Sequence, residues 1–100
     1  MPKVELSIQA RNDLASVWYY ISEQSSDHVA DKFIDSLSEV CQKIANMPTI
    51  GRPQDFLRKG LRKHSFKRYS IYYDIADNNH IVIRRFWHQS RDLENMNISE

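Results

Sequence analysis

The apolar residues of this chain pass from a helical period to a strand period at Leu61, and that change sets the class of fold. Before it, Ala10, Leu14, Val17 and Ile21 fall at i, i+4, i+7 and i+11, one face of a helix. Phe33, Leu37, Val40 and Ile44 repeat the spacing, with Ile34 and Cys41 beside them. After it, Tyr69, Ile71, Tyr73 and Ile75 alternate with Ser70, Tyr72 and Asp74, the period of a strand.

Local signals place the boundaries. Residues 3–6, with Val4 and Leu6 apolar, read as a short first strand. Ser7 is suited to cap a helix that ends near Ser25, and Ser26 or Asp27 a second one that Pro48 stops. So short a link predicts an antiparallel helical hairpin. Residues 49–59, with Gly51 and Pro53, read as a loop. Residues 61–66, 69–75 and 80–87 read as three strands joined by short turns, the last turn at Asp77-Asn78-Asn79. The expectation is a single α+β domain over residues 1–100, in the order β-α-α-β-β-β, with the helical hairpin packed on an antiparallel sheet. One sheet face covers the helices and the other meets water or a partner. At least one of Tyr72 and Tyr73 therefore points away from the helices.

Charge is unevenly spread. Residues 1–50 hold 4 Lys/Arg against 7 Asp/Glu, a net of −3, and residues 51–100 hold 10 against 6, a net of +4. Such a molecule can turn its basic half to an anionic partner, although basic residues also serve simply to solvate strand edges. One cysteine, Cys41, excludes an intramolecular disulfide, and its helical position suits a small core residue. No apolar leader or membrane span is visible, which makes a cytoplasmic location the default.

Few residues carry chemistry. His28, His64, His80 and His88 lie in different elements without ligand spacing, so neither a metal nor any other cofactor is expected. No phosphate-binding glycine loop and no nucleophile motif is present. The strand aromatics Tyr69, Tyr72, Tyr73, Phe86 and Trp87 have two uses, stacking on bases or filling the core. The set Arg62, Lys63, Lys67, Arg68, Arg84, Arg85, His88 and Arg91 has two readings as well. For metal-free RNA cleavage, His88 would act as acid or base while Arg62, Arg85 and Arg91 hold phosphate. Alternatively Arg85, Arg91 and Asp92 form structural ion pairs and His88 closes the sheet.

Taken in order, Leu6-Ser7, Ala10, Asp13-Leu14, Pro48-x-x-Gly51-Arg52-Pro53, Leu61-Arg62, Tyr69-x-Ile71-x-Tyr73 and Arg85-Phe86-x-His88-x-x-Arg91-Asp92 span nearly the whole chain. This pattern resembles the ParE branch of the RelE/ParE superfamily of type II toxins. Trp87 and Gln89 depart from it, standing where an aliphatic residue and a glycine are usual. The resemblance implies a growth-inhibiting toxin neutralised by a cognate antitoxin, alone or as a dimer or hetero-oligomer with it. It implies DNA gyrase as target and no catalytic residue, with Arg62, Arg85, His88 and Arg91 as target-binding candidates. The RelE branch implies instead a ribosome-dependent endoribonuclease acting on mRNA, with His88, Arg85 and Arg62 as its catalytic set. Trp18, Tyr19 and Tyr20, which make the first helix broadly apolar, and Arg68 are the antitoxin-binding candidates. No membrane partner is implied.

Overall fold

The computed structural model describes residues 3–98. Strand β1 (Val4–Leu6) leads into helix α1 (Ile8–Gln24) and then helix α2 (Asp27–Asn46). The Ser7 side chain accepts the Ala10 N–H at 3.1 Å and donates to the Arg84 carbonyl at 3.0 Å, so the cap also ties the helix start to the sheet. Ser26 caps α2 through the Val29 N–H, and Asp27 and Lys43 complement the helix dipole at its two ends.

The remaining strands are β2 (Arg52–Pro53), β3 (Arg62–Phe66), β4 (Tyr69–Ile75) and β5 (Ile81–His88). The sheet order is β1-β5-β4-β3-β2. β3, β4 and β5 run antiparallel, as their short turns predict. β1 pairs parallel with β5, which makes the sheet mixed, and a two-residue β2 lies in the segment expected to be loop alone. At the last turn Asn78 and Asn79 take φ of 61° and 59°, the left-handed region that Asn tolerates.

The helices cover one sheet face. Val17, Leu37 and Ile44 are buried there with Ile71, Tyr73, Ile81, Ile83 and Phe86, and the expected Leu14, Phe33 and Val40 pack against them. The second face carries its own cluster of Leu61, Tyr72 and Trp87, covered by Leu57, Met96 and Ile98. Tyr72 thus points away from the helices, but it meets the C-terminal segment, not water.

The family-like loop motif has a structural cause. The Tyr73 hydroxyl accepts the Gly51 N–H at 2.9 Å and donates to the Pro48 carbonyl at 2.6 Å. A Cβ on Gly51 would lie 2.5 Å from that hydroxyl oxygen, so this close approach needs glycine. Arg62 donates to the Gly51 carbonyl at 2.6 Å from the neighbouring strand. Among the described residues no helix is long and apolar enough to cross a membrane, and no group of three or more His, Cys, Asp or Glu is placed to hold a metal.

Candidate functional site

β1 is three residues long and pairs with β5 only as far as Ile83. Among the described residues, the rest of β5 passes beside α1 without a strand neighbour on that side. A bulge falls just there: Tyr73 pairs with Ile83 and Tyr72 with Arg85, leaving Arg84 as the extra residue. The bulge resets the alternation, so that Phe86 and not Arg85 joins the helix-side core.

Asp13 of α1 fills the space that β1 leaves. Its carboxylate accepts from Arg85 Nε at 2.7 Å and Nη2 at 2.9 Å, and from the Phe86 backbone N–H at 3.0 Å. Arg85 Nη1 donates to the Asn97 carbonyl at 2.5 Å. Both partners of the pair are about nine-tenths buried, with side-chain exposures of 11% each. Arg85 therefore spends its fork of donors inside the fold.

Next to this pair a cleft of about 360 Å³ opens between α1 and the end of β5. Val17, Tyr20, Tyr69 and Phe86 supply apolar wall, and Asp13, Ser16, His88, Ser90 and Arg91 supply polar groups. His88 stands edge-on to Tyr69, with ring centroids 5.0 Å apart. Its Nδ1 accepts the Ser90 N–H at 3.0 Å and lies 2.7 Å from the Ser90 hydroxyl. An accepting Nδ1 places the proton of the neutral ring on Nε2. Arg91 is exposed, its guanidinium 3.9 Å from the centroid of the buried Trp87 ring, while Arg85 lies 4.9 Å from the same ring. The departures from the family pattern have roles here. Trp87 is the platform for two arginines, and the Gln89 side chain, which a glycine lacks, donates its Nε2–H to the Lys67 carbonyl at 3.4 Å.

The candidate residues thus separate. His88 and Arg91 share the cleft. Arg62 lies opposite Tyr73 while His88 lies opposite Tyr69, four residues along β4 and roughly 13 Å at the strand rise. Arg62 also donates to loop carbonyls. On α1, Tyr19 and Tyr20 are exposed, but Trp18 bridges to α2, its Nε1–H donating to Asp31 at 2.7 Å. Arg68 is exposed at the turn between β3 and β4. Burial pushes the Tyr69 hydroxyl above its ordinary range, so it stays protonated at neutral pH. Asp13 is the residue whose role sequence reasoning missed. The available signal was an acid three residues after Ala10 and four before Val17, on the stripe that faces the sheet.

A family model described as ParE toxin of type II toxin-antitoxin system, parDE, matches residues 4–93. The chain belongs to the ParE toxin family. Toxin ParE1 of Mycobacterium tuberculosis is 27% identical over 89 residues, covering 89% of this chain and 91% of that protein. Toxin ParE1 of Caulobacter vibrioides is 28% identical over 90 residues, covering 90% and 92%. Among solved structures, a chain of the chromosomal ParDE TA system from P. aeruginosa superposes with a TM-score of 0.74 at 16% identity, covering 88% of this chain and 96% of that one. A chain of the toxin-antitoxin complex RelBE2 from Mycobacterium tuberculosis gives 0.68 at 21%, covering 88% and 99%. The two structures establish the shared α+β fold, and the family match establishes a ParE-type toxin.

Proposed function

We propose that this ParE-family toxin inhibits growth by binding and poisoning DNA gyrase, and that a cognate antitoxin protein neutralises it in the cytoplasm. The carrying observation is how its arginines are used. An endoribonuclease of the RelE type needs cations converging with an acid or base on one phosphate. Here Arg85 is bound to Asp13 and Asn97, and Arg62 to the Gly51 carbonyl on a distant part of the sheet. His88 and Arg91 remain at the cleft, a set suited to gripping a partner's side chains. Under this reading His88 and Arg91 contact the target, while Arg85 and Arg62 hold the surface in shape.

The antitoxin reading is supported by the exposed Tyr19 and Tyr20, the apolar wall of the cleft and the exposed Arg68. An extended or helical partner segment laid along α1 buries apolar surface first and charge second, so its binding weakens with salt without vanishing. The test of the target is supercoiling by purified gyrase with added toxin. Inhibition with trapped cleaved DNA is expected. Unaffected gyrase together with cleaved mRNA on translating ribosomes would transfer the chain to the endoribonuclease mechanism.

A further inference from the structure

Away from the cleft, the segment between β2 and β3 forms a braced loop with Phe56 at its tip. The Gln54 N–H donates to the Leu61 carbonyl at 2.7 Å and the Leu61 N–H to the Arg58 carbonyl at 3.1 Å. Asp55 accepts the Gly60 N–H at 2.8 Å, with Gly60 at φ +83° in the left-handed region. Leu57 packs down against the cluster of Leu61, Tyr72 and Trp87. Phe56, its neighbour, is 76% exposed. A large aromatic ring held out by a loop this closely tied is pre-organised for contact, so little entropy is lost when a partner covers it.

Three cations belong to the loop and its base. Arg52 and Lys63 are cross-strand partners at the base of the loop, and Lys59 follows Phe56 by three residues. Among the described residues none of the three has an ion-pair partner, whereas the nearby Arg58 lies 3.9 Å from Asp74. We infer that this loop is a docking anchor for a protein surface on which an apolar pocket is rimmed by carboxylates. Phe56 fills the pocket, and Arg52, Lys59 and Lys63 meet the acidic rim. A protein suits the site better than nucleic acid does. Three cations on one loop and its base, on a chain of net charge +1, make a small phosphate-binding footprint, and residues 1–50, which hold the helices, are net acidic.

The inference rests on the reading of the chain as a toxin directed at a protein, and purified gyrase holoenzyme without DNA is the probe. Phe56→Ser is expected to weaken binding by about 30-fold, the loss typical of a central aromatic anchor. Lys59→Glu should weaken it too, and circular dichroism should show both variants folded, since neither side chain is buried. Wild-type binding matched by Phe56→Ser would overturn the anchor and leave the gyrase reading standing. If wild type itself fails to bind gyrase, that reading falls, and growth arrest on induction decides the anchor. Loss of arrest in both variants then supports it. Arrest by the variants, no arrest by wild type, or binding to a short DNA duplex that depends on Phe56 would each overturn it.

Discussion

Asp13 on the first helix and Arg85 on the last strand form a bidentate ion pair, 2.7 and 2.9 Å, across a gap of 72 residues in sequence. The same carboxylate takes the Phe86 N–H where β5 has run past β1. One side chain thus supplies both the counter-charge and the missing strand neighbour. Asp13→Ala should cost about 3–5 kcal/mol, because it leaves a guanidinium buried without its partner and an edge N–H without an acceptor. Denaturant titration measures this, and a loss under about 1 kcal/mol would show the pair to be dispensable. Arg85→Glu would set two carboxylates against each other, so lost toxicity in that variant reports the fold before it reports the target.

Tyr73→Phe removes one oxygen from the core and strands the Gly51 N–H and the Pro48 carbonyl. The expected loss is about 1–3 kcal/mol, with the β2 segment loosened more than the helices. Hydrogen exchange at Gly51 that stays as slow as in the parent chain would contradict it.

Leu37 is 1% exposed between the helices and the sheet. Leu37→Ala should cost ~2–5 kcal/mol, a large part of what a domain of this size has. A midpoint shift in denaturant worth less than about 1 kcal/mol would mean that the cavity collapses freely.

Stability should hold between two pH limits. Burial and then the nearby Lys43 charge lower the His64 pKa from its ordinary 6.5, so the folded chain binds this proton less well than the unfolded one. That contribution is complete above about 6.5 and is lost as pH falls below it. Burial raises the Cys41 thiol from 9.0 to about 11, and raises Tyr69, Tyr72 and Tyr73 above 10.0. These groups hold their protons more tightly when folded, so stability is complete below about 9 and falls as pH rises beyond it. Thermal unfolding across pH should show the plateau. In the native state at pH 8, Cys41 should also resist a thiol reagent and react only on unfolding.

The helices, the three long strands and most of the core were legible because each rests on a local period. Leu37 and Ile44 declare the inner face of α2 by spacing alone, and Ser7 and Ser26 declare the caps. The parallel pairing of β1 with β5 was not legible, since a three-residue strand carries no sign of its direction. Nor was the bulge at Arg84, or that the structural ion pair weighed for Arg85 would be made with Asp13. The site was read through residue type, and type does not say whether an arginine is free. That depended on Asp13, Gly51 and Asn97, all distant in sequence from the arginines they engage. His88 and Arg91 lie near each other because only two residues separate them, and that part of the cleft was visible in the sequence.

The central claim is that this toxin acts by binding, so no side chain should be indispensable as an acid or base. His88→Gln tests it most directly, for glutamine keeps a hydrogen-bonding side chain of similar reach and removes the titratable ring. Colony formation on induction of the variant, with circular dichroism confirming the fold, should show growth inhibition within a few-fold of the parent chain. A general acid or base at this position would make the same change cost ~10²–10⁴ in rate. A folded, non-toxic His88→Gln protein that also fails to cleave ribosome-bound mRNA, where the parent chain cleaves it, would contradict the account.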